Sequence, residues 1–178
     1  MSLESKPLYA ANKRSAWWTA AGIAALLSPG LAAAADDFMD TRRMGMELAE
    51  DIARAAVLAC REQGWQVSAV VVDRSAVPQA VLRDVNASRF TLQIAEEKAN
   101  AVILSGVASS EFRSNREDIR PEMNQVDGIL VLAGGLPIRA AGSLVGAVGV
   151  SGAPGGERDE VCAQKALESV AERLDFAD

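Results

Sequence analysis

Asp127–Gly156, DGILVLAGGLPIRAAGSLVGAVGVSGAPGG, constrains the fold more than any other stretch of this chain. Gly128–Ala133 is an aliphatic run ended by Gly134-Gly135, a turn signal because glycine takes positive φ at little cost. Pro137–Ala141 reads as a short second strand, with the proline favouring a strand start or an edge. After Gly142-Ser143, Leu144–Gly152 reads as a small-residue strand punctuated by Gly146, Gly149 and Gly152. Glycine weakens a strand interior, so three of them require something packed close: a helix lying tight on the sheet, or a ligand or partner subunit against bare backbone. Three strands at this spacing predict an antiparallel meander.

The preceding chain supplies the rest of a layered domain. Asp40–Gln63 has the period of a helix capped by Asp40 or Thr41, with Leu48, Ile52, Ala55, Ala56 and Ala59 on one side and Gly64 at its end. Val67–Asp73 and Gln79–Arg83 read as strands. Asn86 or Ser88 caps a second helix running to about Leu104, whose stripe is Leu92, Ala95, Ala99, Val102 and Ile103. Gly106–Gln125 is polar and reads as a loop holding a short helix from about Ser109, a length at which loops are often functional. Glu157–Leu174 predicts the last helix, with Val161, Ala163, Ala166, Leu167, Val170, Ala171 and Leu174 on its apolar side. The expected fold is α/β (α+β): a five-stranded antiparallel sheet with packed helices, in two or three layers.

Met1–Ala35 is expected to be a cleaved secretory signal. Lys13-Arg14 precede the apolar Ala16–Leu27, Ser28-Pro29-Gly30 breaks it, and small residues precede Asp36. The run is short and interrupted for a membrane span, so no stable membrane insertion is expected after cleavage. Residues 36–178 then form one domain, periplasmic or secreted.

Two compositional facts narrow the chemistry. The formal net charge is −6 with no basic stripe, which argues against a nucleic-acid partner. There is no histidine among the 178 residues, so neither a Ser-His-Asp nor a Cys-His nucleophilic site can be built. Cys60 and Cys162 fall on the first and last helices; two separate buried thiols are the expectation, and a disulfide is the alternative. Gly152–Gly156 lacks the ending of a P-loop; its amides can hold a carboxylate, although Glu157, Asp159 and Glu160 already complement the helix dipole there. Lys98, on the flank of the second helix, reads as a snorkelling lysine or as a cation reaching an anionic ligand.

LAGGLPIRAAGSLVGAVGVSGAPGGERDEVCAQKA resembles the signature of the GlcG/HbpS-type haem-binding family, and VVVDRSAVPQAVLRDVNA and IAEEKANAV are similar to its two other motifs. The likeness spans about Met44–Leu174. Ser75-Ala76 departs from the glycines usual in the family's first turn, which predicts a different turn there. The resemblance implies a profilin-like layered sandwich, a homo-oligomer and a small-molecule ligand, haem, near the loop preceding the meander. On that basis Met123 becomes the candidate metal ligand through its thioether and Glu122 through its carboxylate. Arg83, Arg116 and Arg120 become propionate partners. Lys98, Gly134, Gly135 and Gly155 complete the cofactor-binding set. No histidine can serve as axial ligand here.

The leading expectation is a non-catalytic binding protein for haem storage, delivery or sensing, with a possible periplasmic protein partner. One alternative is an enzyme degrading haem or acting on a small organic acid through Asp84, Glu122, Arg120 or Lys98. The other is a ligand-free accessory or structural partner of a periplasmic complex.

Overall fold

The computed structural model describes residues 41–176. In chain order they form α1 (Met46–Arg61), β1 (Ser68–Asp73), β2 (Pro78–Arg83), α2 (Phe90–Ser105), α3 (Ser109–Asn115), α4 (Arg120–Met123), β3 (Gly135–Ala140), β4 (Ser143–Ser151), α5 (Gly156–Ser169) and α6 (Ala171–Asp175). The expected leader and Asp40 lie outside the described residues. No described helix is long and apolar enough to cross a membrane.

The sheet has four strands in the order β2-β1-β4-β3, all neighbours antiparallel, rather than the five expected. The missing strand is Gly128–Ala133. Its residues alternate in burial from Leu130 to Ala133 as a strand would, but its amides go elsewhere. Leu130 N–H donates to Glu97 O (3.3 Å), Val131 N–H to Asn124 Oδ1 (2.9 Å) and Leu132 N–H to Leu130 O (2.9 Å). Side-chain periodicity reports which face is buried, whereas a strand also needs a ladder partner. β3 is therefore an edge, and a closed one. Pro137 has no N–H, Gly135 N–H donates to Ser109 Oγ (2.8 Å), and Ala141 N–H to Leu174 O (3.0 Å).

Helices cover both faces of the sheet. Val70, Val72 and Ala147 meet Ala95, Ala99 and Val102 of α2 on one face. On the other, Ala69, Val71, Val148 and Val150 share a core with Ile52, Ala53 and Ala56 of α1 and Ala163 and Ala166 of α5. Of the two readings of the glycine-punctuated strand, the tight helix accounts for its centre. A Cβ on Gly149 would stand 1.9 Å from Ala95 O, so α2 lies directly on β4. Gly149→Val is expected to push α2 outward and destabilise the fold by roughly 1–3 kcal/mol or more, the range for overpacking. Urea denaturation checks this, and a midpoint equal to that of the unaltered protein would mean the contact is not tight.

Local chemistry sets the remaining differences. α1 starts at Met46 behind Gly45, without a side-chain cap, so Thr41 is not its cap. Ser88, rather than Asn86, accepts from the Phe90 amide at the start of α2 (3.4 Å). In the β1–β2 turn Ala76 sits at φ +62, held by Asp73, whose Oδ1 accepts from Ser75 N–H (2.8 Å) and Val77 N–H (3.0 Å). That carboxylate stabilises a turn that a glycine would otherwise ease. The last helix breaks at Val170, and Val161 is exposed because the buried stripe runs through Asp159, Cys162, Ala163 and Ala166. Cys60 and Cys162 are joined in a disulfide between α1 and α5, with Cα atoms 5.3 Å apart, which corrects the expectation of separate thiols.

Candidate functional site

The segment between α2 and the sheet folds back on itself so that its few apolar residues reach the small core formed with Ala101 and Val131. Phe112 lies on α3, Ile119 immediately before α4 and Met123 at the end of α4, and all three line one groove. Phe112 packs with Ala101 and Val131 in a small core, and Met123 is partly buried against it. Next to this core opens a groove of about 430 Å³ lined by Leu104, Ser105, Val107, Phe112, Asn115, Arg116, Ile119 and Met123. Its walls are mostly apolar, with one thioether, one guanidinium, the Ser105 hydroxyl and the Asn115 amide. Arg116 donates to Asp118 through Nε (3.1 Å) and Nη2 (3.3 Å), and that bond holds the Asp118 carboxyl below the usual carboxylate range.

The residues picked out in the sequence fall in four places. Met123 lines the groove, together with Arg116. Arg120 and Glu122 share α4 with Met123 but do not line it; Glu122 is exposed. Arg83, at the end of β2, donates to the carbonyls of Asp84, Val85 and Ala87 and so closes its own loop; it does not line the groove. The adjoining Asp84 is buried and accepts from Arg61 Nε (2.9 Å) and Nη2 (3.0 Å). The Arg61 guanidinium holds the Asp84 carboxyl below its ordinary value against the cost of burial.

Lys98, Gly134, Gly135 and Gly155 belong to another locus. Lys98 does not snorkel: it is 2% exposed, and its Nζ donates to Asp159 Oδ2 (2.8 Å) and Val150 O (3.0 Å). Burial pushes the Asp159 carboxyl up, with the Lys98 ammonium pulling against it. A Cβ on Gly134 would come within 2.7 Å of Lys98 Nζ, and one on Gly135 within 2.6 Å of Lys98 O. These glycines admit the protein's own α2, so they are not free backbone for a ligand. Gly155 borders a shallow cleft of about 280 Å³ with Lys98, Arg113 and Asp159. The acids at the start of α5 are all engaged: Asp159 Oδ1 accepts from Ala153 N–H (2.9 Å), Glu160 Oε2 from Gly134 N–H (3.3 Å), and Glu157 from Arg113 Nη2 (2.9 Å).

The groove walls Leu104, Val107, Phe112 and Ile119 are not among the residues expected at the site; the only sequence signal for them is that they are apolar residues in or beside a polar loop. From sequence, Asp159 stands out only as a dipole partner of its helix; a buried lysine needs a counter-charge, and that need is the missed clue.

Comparison with known proteins agrees with this architecture. A search of curated protein sequences finds no match. Among solved structures, HbpS is 34% identical over 79% of this chain and 99% of its own, with a TM-score of 0.71. Protein ORFY of Klebsiella pneumoniae is 26% identical, covering 76% of this chain and 96% of its own at a TM-score of 0.70. The PduOC complex with haem shares the fold at 21% identity and a TM-score of 0.63, over 72% of this chain and 95% of its own. The family profile described as "Haem degrading protein HbpS-like" matches residues 44–168, from just before α1 to the last turn of α5. With the motifs, the α+β fold and that match in agreement, the chain belongs to the HbpS-like family.

Proposed function

We propose that this protein binds haem in the groove between the C-terminal end of α2 and the α3–α4 segment. The observation that carries the reading is Met123: within a chain of a haem-related family, it presents a thioether at the wall of an apolar groove. The groove's volume of about 430 Å³ falls within the range of small-ligand sites. The residues fit the group. Leu104, Val107, Phe112 and Ile119 offer apolar contact to a planar macrocycle, Met123 a ligand to iron, and Arg116 a guanidinium to a propionate. Arg120, with no side-chain hydrogen bond or ion pair among the described residues, is the second arginine within the same segment.

The finer reading is a homo-oligomeric haem storage, delivery or sensing protein, carried to the periplasm or outside the cell by the leader at residues 1–35. A haemin titration followed in the Soret region tests the binding. A saturable shifted band that is lost or altered in Met123→Ala is expected. A spectrum equal to that of free haemin with an inert protein would sink the reading, and a shift indifferent to Met123 would remove the ligand assignment.

The family's description supports a second reading, haem degradation. Loss of the bound Soret band with release of iron under dioxygen and a reductant would favour it; a stable band under those conditions favours binding alone.

A further inference from the structure

With haem in the groove, as the reading above has it, the donors and walls would decide which oxidation state of the iron is favoured. A donor's charge and softness decide which state it stabilises, and methionine ligation raises the reduction potential of haem. The soft donor on the groove wall is Met123. No imidazole exists in the chain, and both cysteines are tied to each other between α1 and α5. Glu122, the neighbouring hard anionic donor, is exposed and outside the lining. The walls act in the same direction. Ferric haem carries one more positive charge at the macrocycle than ferrous haem; Leu104, Val107, Phe112 and Ile119 offer nothing to solvate it, and the two neutral polar residues of the lining, Ser105 and Asn115, bring no compensating charge. Arg116, in an exposed ion pair with Asp118, serves a propionate equally in both oxidation states.

We infer that the protein binds ferrous haem in preference to ferric haem, with Met123 as the residue that sets the preference. The test is a spectroelectrochemical titration of the haem complex, with haem in neutral detergent micelles as reference. The ferrous state is expected to bind at least about tenfold more tightly, which raises the midpoint potential by at least about 59 mV for this one-electron couple. Met123→Leu, of similar size but without a donor, should lose most of that rise, and Glu122→Gln should leave it unchanged. A potential at or below the micelle reference overturns the inference whether or not the variants fold. A rise that survives in Met123→Leu overturns the role of Met123. Both results leave haem binding intact. Absence of any Soret shift in either oxidation state overturns the haem reading, and the preference with it.

Discussion

Lys98→Met is expected to destabilise the protein by roughly 3–5 kcal/mol at neutral pH, the range for breaking a buried ion pair by removing one partner. The two side chains are 3% and 4% exposed, so water cannot replace the lost ammonium at Asp159. Burial already pushes that carboxyl's pKa up while Lys98 opposes the shift, and without Lys98 the rise grows. The sign of the pH dependence follows. A carboxyl whose pKa is raised in the folded state favours folding below its unfolded value of about 3.8 and loses that contribution as pH rises through the folded value. The variant should therefore recover part of its stability on acidification, on top of whatever trend the unaltered protein shows. The double change Lys98→Met/Asp159→Asn should regain most of the loss at neutral pH. It removes both charges and keeps an oxygen to accept from Ala153 N–H. Urea denaturation of the three proteins across pH checks this. If Lys98→Met unfolds at the same midpoint as the unaltered protein, the pair does not hold α2, β4 and α5 together.

That pair also marks where sequence reading stops. Gly149 is legible as a close-approach position because glycine weakens a strand interior, and its lack of a side chain helps only where another group must come up against the backbone. Ala95 O lies where its Cβ would be. α1, α2 and α5 are legible from period, whereas α4 is not separable from its polar loop and the break before α6 leaves no mark in the apolar stripe. By contrast, Gly128–Ala133 carries a strand's alternation without a strand's hydrogen bonds, and its amides are claimed by Glu97 and by the Asn124 side chain. No periodicity encodes a partner that lies 33 residues earlier in the chain. The site divides in the same way. Met123 and its loop stand out from the family motif order, whereas Lys98 has the look of a free cation until α5 brings Asp159 to it. Arg83 has the look of an available guanidinium until its own loop carbonyls close around it. A side chain's chemistry is written in its type, and its availability is decided by neighbours distant in sequence.

The second large effect is expected at the disulfide. Cys60 and Cys162 close a loop of 102 residues, and α1 and α5 carry them in segments that pack against each other in one core. A cross-link over so long a loop removes much of the unfolded chain's freedom, worth about 4.7 kcal/mol in the chain-entropy account. Both cysteines are essentially fully buried, and alanine at each removes a single sulfur atom from the core, a small cavity beside the loss of the cross-link. The loss should therefore come mainly through the unfolded state. Cys60→Ala/Cys162→Ala is expected to keep the native circular dichroism and to unfold at a markedly lower urea concentration. Its stability should fall by several kcal/mol, up to that limit. Adding reductant to the unfolding experiment should bring the unaltered protein close to the variant and leave the variant itself unmoved. The decisive control is a thiol count on denatured protein kept from reductant. Two free thiols per chain would mean that the bond does not form in the protein as isolated, and the two midpoints should then coincide. If the bond forms and the variant still matches the oxidised protein, the unfolded chain is already compact enough that the cross-link restricts little.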